Sequence, residues 1–280
     1  MAILSAATLR ELQKTSDQMR LDAITMVHRS KSAHLGSALS MIDLLAVLYC
    51  HFLTVDPKNP KWPDRDRFIL SKGHGGSGLY AALAARGFFD RSVLEEYGRD
   101  GGRLAVHPSA MLVPGVEAST GSLGHGLPVG VGMALAGQRD KKDYKTVVMV
   151  SDGECDEGST WEAILAAGNW RLSNLICIVD YNKIQSFGRV DEVMPLEPFA
   201  DKWKAFGWGT EEVDGHDHEA IAAALSRIPF VKDRPSVIIA HTVKGKGAKW
   251  MEDTVASHYQ SPTDANLAQA QKDFSCSSDA

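Results

Sequence analysis

Two short polar clusters in this sequence each follow a run of aliphatic residues: Asp152-Gly153 comes after VVMVS, and Asp180-Tyr181-Asn182 after LICIV. Asp152 and Asn182 stand thirty positions apart. A carboxylate at 152, an amide oxygen at 182 and a main-chain carbonyl beyond it are hard oxygen donors. Such donors suit Mg²⁺ or Ca²⁺ shared with a diphosphate. Gly153 lets a phosphate approach the main chain with no Cβ in the way. A helix beginning near Glu157 would turn its free N–H groups and positive dipole end to the same place. Taken singly, Asp152 reads equally well as a helix cap and Asn182 as a turn residue. Together, at the spacing of one strand-helix-strand unit, they favour a ligand site.

That site requires strands to carry both clusters to one edge. Residues 146–150, 175–179, 210–213 and 237–240 read as strands, with helices over 157–170 and 219–227. The runs VVMV, LICIV and VIIA lack polar alternation, as expected where helices cover both faces. The pattern predicts an α/β fold, a doubly wound, mostly parallel sheet with helices on both faces. A right-handed crossover would then bring the carboxyl ends after 151 and 179 together. Upstream, helical periodicity covers residues 8–29 and 40–52, followed by a Pro- and Asp-rich connector at 56–66 and a short buried strand at 68–70. Residues 73–78 open an Ala-rich helix, and 101–126 form a long aperiodic stretch of the kind that is usually functional. Residues 1–265 are expected to form one domain. Residues 266–280 form its tail, a short helix and then a mobile, Ser-rich end.

Composition narrows the partners. With 44% hydrophobic residues among 280, the chain can bury a substantial core. Its net charge of -5 and the lack of a Lys/Arg run argue against nucleic acid. No stretch approaches the roughly 20 apolar residues that cross a bilayer, and the N-terminus lacks the layout of a secretory signal. Cys50, Cys155, Cys177 and Cys276 show no paired spacing, and Cys50 and Cys177 lie in apolar runs, where packed, reduced thiols are expected. A cytoplasmic protein is the expectation. Gly73, Gly75 and Gly78 satisfy GxGxxG after a strand, the minimal mark of a dinucleotide fold, but no strand-plus-acid continuation follows. His216 and His218 invite a metal assignment; a loop with Asp217 capping the next helix is preferred.

SDGECDEGSTWEAILAAGNWRLSNLICIVDYN resembles the GDG…N diphosphate motif of thiamine diphosphate enzymes, with Ser151 at the first Gly. Within that group the chain resembles the N-terminal, diphosphate-binding part of transketolase along nearly its whole length. SAHLGSALS is similar to the family's SGHPG segment, which implies substrate contacts at His34 and Ser37. LSKGHGGSGLYA implies a cofactor contact at His74. LAVHPSAMLVPGVEASTGSLGHGL implies that His107 faces the substrate and that Gly121, Ser122 and Leu123 hold the cofactor's rings. HTVKGKGAKWMEDTVASHYQSP implies Lys244 on the cofactor and His258 on both cofactor and substrate.

The resemblance further implies a thiamine diphosphate-binding fold, with Asp152, Asn182 and Ile184 as metal ligands and Gly153, Asn182, Lys244 and His258 at the diphosphate. His34, His107 and His258 are the expected catalytic residues, polarising a carbonyl or moving protons. The implied reaction moves a two-carbon ketol unit from a ketose phosphate to an aldose phosphate. In transketolases the glutamate that activates the cofactor lies in a second domain, and nothing here resembles it. A C-terminal transketolase subunit supplying that glutamate is therefore expected, in a heterotetramer with the site at the interface and Glu157 coupling paired sites. The α subunit of a 2-oxo acid decarboxylating complex also carries GDG and Asn. It is disfavoured by the DEG after SDG and by the three histidines. A non-catalytic cofactor-binding assembly subunit is the remaining alternative.

Overall fold

The structure is a computed structural model and describes residues 4–275. Cys276 and the expected mobile end of the tail lie outside the described residues.

Helix α1 (Ala6–Ser30) starts where the Ser5 hydroxyl accepts from Thr8 N at 3.1 Å and stops at Lys31, whose φ of 52° is left-handed. Its buried side chains, Leu12, Met19, Ala23, Ile24 and Val27, recur at helical spacing. Helices α2 (Leu35–Leu39) and α3 (Ile42–Val47) follow, and α3 runs on into a π-helical turn at Leu48–Phe52. Strand β1 (Arg67–Leu70) leads through a tight turn at Gly73–Gly75 into α4 (Gly76–Arg86). After a long loop come α5 (Gly126–Arg139), β2 (Thr146–Ser151), α6 (Gly158–Asn169) and β3 (Leu175–Tyr181). The rest comprises α7 (Val190–Val193), α8 (Phe199–Ala205), β4 (Gly209–Asp214), α9 (His218–Ser226), β5 (Ser236–His241) and α10 (Asp264–Ser275).

Among the described residues the five strands are all parallel, in the order β1-β2-β3-β5-β4. Alternation along each strand divides the molecule into two cores. Val147, Met149, Ile176 and Ile178 pack with residues of α1 to α4 and α9. Val148, Val150, Cys177 and Val179 pack with α5, α6 and α8. Helices thus cover both faces, and the fully buried strands β2 and β3 lack polar alternation for that reason. The tail helix α10 packs on α1, with Ala270 buried and His28 Nε2 2.7 Å from the Asp264 carboxylate.

One expectation is corrected: Cys50 is exposed, not packed. It sits in the π-helical turn, where Leu53 N donates to Leu48 O at 2.8 Å. The wider i→i+5 turn breaks the 3.6-residue period that would have pointed residue 50 inward. Cys155 and Cys177 are buried thiols. No described helix is long and apolar enough to cross a membrane.

Candidate functional site

β2 and β3 pair in register, with Ser151 opposite Asp180, so their following residues, Asp152 and Asn182, emerge side by side at the carboxyl edge. Asp152 is 1% exposed; its Oδ1 accepts from Gly153 N at 2.8 Å and its Oδ2 from Lys183 N at 2.6 Å. Asn182 Oδ1 accepts from Ile184 N at 3.2 Å, and Lys183 between them takes a left-handed φ of 67°. The Ile184 carbonyl accepts from Lys244 Nζ at 2.8 Å. Burial raises the Asp152 carboxyl to about 7, helped by the charge of Asp180 and opposed by the two amides. A cation against this carboxylate would offset that penalty, and the three oxygens are of the type Mg²⁺ or Ca²⁺ takes. The donor set fits the implied metal. No group of three or more His, Cys, Asp or Glu able to hold a metal occurs among the described residues.

These groups line a cleft of about 370 Å³, the size of a small-ligand site. Its walls also carry His34, Ser37, His74, His107, Gly121, Leu123, Gly153 and His258, so the structure brings together every predicted site residue except Ser122. Ser122 lies exposed beside the cleft. Glu157 lines the rim and caps α6 by position only, with no side-chain bond to the helix.

Four histidines from four segments meet here. The His34 ring lies 4.9 Å from that of His258, 5.4 Å from His74 and 5.9 Å from His107. His34 holds a left-handed φ of 72° at the start of α2, and its amide donates to the His258 carbonyl at 2.8 Å. Strained backbone of this kind concentrates at functional sites. Burial pulls His34 down to about 4, with His107 and Lys244 adding to the effect. Burial, then Lys244 and His34, pulls His258 down to about 3, and His74 is likewise well below the usual value, chiefly through burial. Lys244, 1% exposed, is lowered to about 8 by burial. Its Nζ lies 3.1 Å from His258 Nδ1. An ammonium only donates, so Nδ1 is the acceptor and the proton of the neutral His258 ring sits on Nε2.

Two residues without a role in the motif reading underlie the site. Lys72 and Asp180 are fully buried and paired; Lys72 Nζ also donates to Ser37 O at 2.8 Å, and Asp180 accepts from the hydroxyls of Ser40 and Thr242. Burial alone would raise the Asp180 carboxyl, but the Lys72 charge and these bonds hold it below the usual value. The signal was present as a charge at the end of an apolar strand, since a buried charge needs a partner. Glu154, also fully buried, accepts on Oε1 from Gly124 N at 2.9 Å and from Ser71, which ties the loop after β2 to the 121–126 turn.

The GxGxxG glycines serve packing. A Cβ at Gly73 would lie 2.6 Å from the Thr120 carbonyl, so this glycine lets the 120–121 segment sit against the turn that carries His74. Asp217 caps α9 as expected, accepting from Glu219 N at 2.9 Å and Ala220 N at 3.0 Å.

Fold and cleft together define a doubly wound α/β ligand-binding domain with its site at the carboxyl edge of the sheet. The family model for "Transketolase, thiamine diphosphate binding domain" matches residues 12–279. The chain is 42% identical over 265 residues to one of the subunits of the apulose-4-phosphate transketolase of Phocaeicola vulgatus, covering 95% of this chain and 93% of that protein. It is 43% identical over 248 residues to 6-deoxy-6-sulfo-D-fructose transketolase subunit SqwG of Clostridium sp., covering 89% of this chain and 90% of the relative. Among solved structures, Leishmania mexicana transketolase superposes with a TM-score of 0.88 at 31% identity, over 94% of this chain and 41% of that one. The chain belongs to the transketolase family and is of its thiamine diphosphate binding domain type.

Proposed function

We propose that this chain is the diphosphate-binding subunit of a two-component transketolase. In this reading it moves a two-carbon ketol unit from a ketose phosphate to an aldose phosphate with thiamine diphosphate and Mg²⁺. The observation that carries the reading is the meeting of Asp152, Asn182 Oδ1, the Ile184 carbonyl, Lys244 and His258 in one cleft. When bound, the cofactor supplies an electron sink for a carbon–carbon bond beside a carbonyl.

The chain's own residues do the rest. Asp152, Asn182 and Ile184 hold the metal, with Ca²⁺ able to replace Mg²⁺. Gly153, Asn182, His74, Lys244 and His258 hold the diphosphate, and Gly121, Ser122 and Leu123 the rings. His34, Ser37 and His258 bind sugar hydroxyls. At neutral pH the depressed His34 and His258 are uncharged; the His34 ring can accept at one nitrogen and donate at the other, whereas His258, with Nδ1 taken by Lys244, can only donate from Nε2. His258 donates from Nε2 to a substrate oxygen, and His107 assists from the loop.

The activating glutamate comes from a C-terminal partner subunit in a heterotetramer, with Glu157 at the interface. Two relatives named as subunits span nearly the same length as this chain, which supports the two-component arrangement. A reducing cytoplasm is the setting this reading takes.

Asp152→Ala is expected to abolish Mg²⁺-dependent binding of thiamine diphosphate in titration calorimetry. Unchanged affinity sinks the site assignment. The purified pair should then transfer ketol units; a co-purifying pair inactive with cofactor and Mg²⁺ sinks the enzyme reading.

A further inference from the structure

The pair His216 and His218 has no part in the cleft, yet a buried network ties one of the two to it. The His216 ring is 11% exposed; its Nδ1 lies 2.8 Å from Asp43 Oδ2 on α3, and its Nε2 accepts from Val243 N at 2.8 Å. An N–H aimed at Nε2 leaves that nitrogen unprotonated, so the ring is the neutral Nδ1–H tautomer and donates to Asp43. Asp43 is 3% exposed and also receives Arg20 and, at 3.1 Å on Oδ1, His218 Nε2, which lies 3.0 Å from Ser16 Oγ. Val243 directly precedes Lys244. On the other side of Lys244, Gly245 N donates to Gly36 O at 2.9 Å, and Asp253 N donates to the Lys244 carbonyl at 2.9 Å.

We propose that His216 is a positioning residue that fixes the Val243–Gly245 turn through the Val243 amide and so aims Lys244 into the cleft. The inference rests on the cofactor reading above. His218 shares the same carboxylate but touches no atom of that turn in the hydrogen-bond network, so the two histidines differ in kind. With the amide unbonded, the turn gains freedom, and Lys244 Nζ loses its fixed reach to Ile184 O and His258 Nδ1.

The test is thiamine diphosphate affinity of the full chain with Mg²⁺, by calorimetry, beside thermal stability. His216→Phe keeps the volume and removes both bonds, and affinity is expected to fall by about tenfold. His216→Gln restores a donor and an acceptor and is expected to recover at least half of that loss on a logarithmic scale. His218→Phe is expected to lower stability while leaving affinity within about twofold. In a Lys244→Met background the effect of His216→Phe is expected to vanish. The proposal is overturned if His216→Phe and Lys244→Met are additive, or if His218→Phe weakens binding as much as His216→Phe. If Asp152→Ala and Lys244→Met both leave affinity unchanged, the cofactor reading fails instead.

Discussion

Lys244 donates from Nζ to the carbonyl of Ile184 at 2.8 Å, so this lysine of the cleft wall rests on an oxygen that the proposed function gives to the metal. That contact brings a cation and a cation-seeking carbonyl together at the point where a diphosphate would share its metal. Lys244→Met keeps the stem and removes the charge. A charge-assisted bond is worth about 1.5–3 kcal/mol, so affinity for thiamine diphosphate with Mg²⁺ should fall by about 10- to 100-fold. Calorimetry on the two proteins checks this, and a change under twofold would remove Lys244 from the cofactor set.

Beneath that site, Lys72→Met would leave Asp180 charged, fully buried and without its main partner. Breaking a buried pair costs about 3–5 kcal/mol. The denaturant midpoint should fall accordingly, and Lys72→Met with Asp180→Asn should recover part of the loss because no uncompensated charge remains. If the double variant is no more stable than the single one, the pair does not carry the cost.

Legibility in the sequence followed what local pattern encodes. β2 and β3 were readable from unbroken aliphatic runs, and Asp152 and Asn182 from their place after those runs. Helix α5 was not, because Gly130, Gly132 and Gly137 lower helix propensity within Gly126–Arg139. Gly130 is there for tertiary reasons, since a Cβ would lie 2.3 Å from Val148 Cγ2. Lys72 and Asp180 are 108 positions apart, and their pairing depends on β1 and β3 flanking β2, which no local pattern states. The histidines came from motif resemblance; their convergence into one cluster required the fold.

Acid should destabilise this cluster with a predictable sign. His34 and His258 have folded values of about 4 and about 3, below the 6.5 of a free imidazole. The unfolded chain therefore binds more protons between those values, and stability falls as pH drops from about 6.5 towards 4. It is fully present above 6.5. Replacing His258 with Gln removes one such group, so the difference in stability between wild type and variant should change across this window and stay flat from pH 7 to 8. A difference that is flat across pH 4–6.5 would show that His258 does not titrate abnormally.

Gly36 sets how closely α2 approaches the turn that ends in His258. A Cβ there would lie 2.6 Å from Ser257 Oγ and 2.9 Å from Ser257 Cβ, too close for either to remain in place. Ser257 is fully buried and its hydroxyl donates to Thr254 O at 2.6 Å, so it has little room to yield. Gly36→Ala must then separate α2 from residues 255–258, and the His34 amide loses its 2.8 Å bond to the His258 carbonyl. Overpacking of this kind costs about 1–3 kcal/mol. Because the strain falls between His34 and His258 and away from Asp152, the proposed function predicts that KM for the ketose rises more than KM for the cofactor in the complex with its partner. Adding Ser257→Gly removes both colliding atoms and should restore most of the loss. A Gly36→Ala variant with wild-type stability and kinetics would mean that the two segments slide freely, and that His34 and His258 are not held together by this contact.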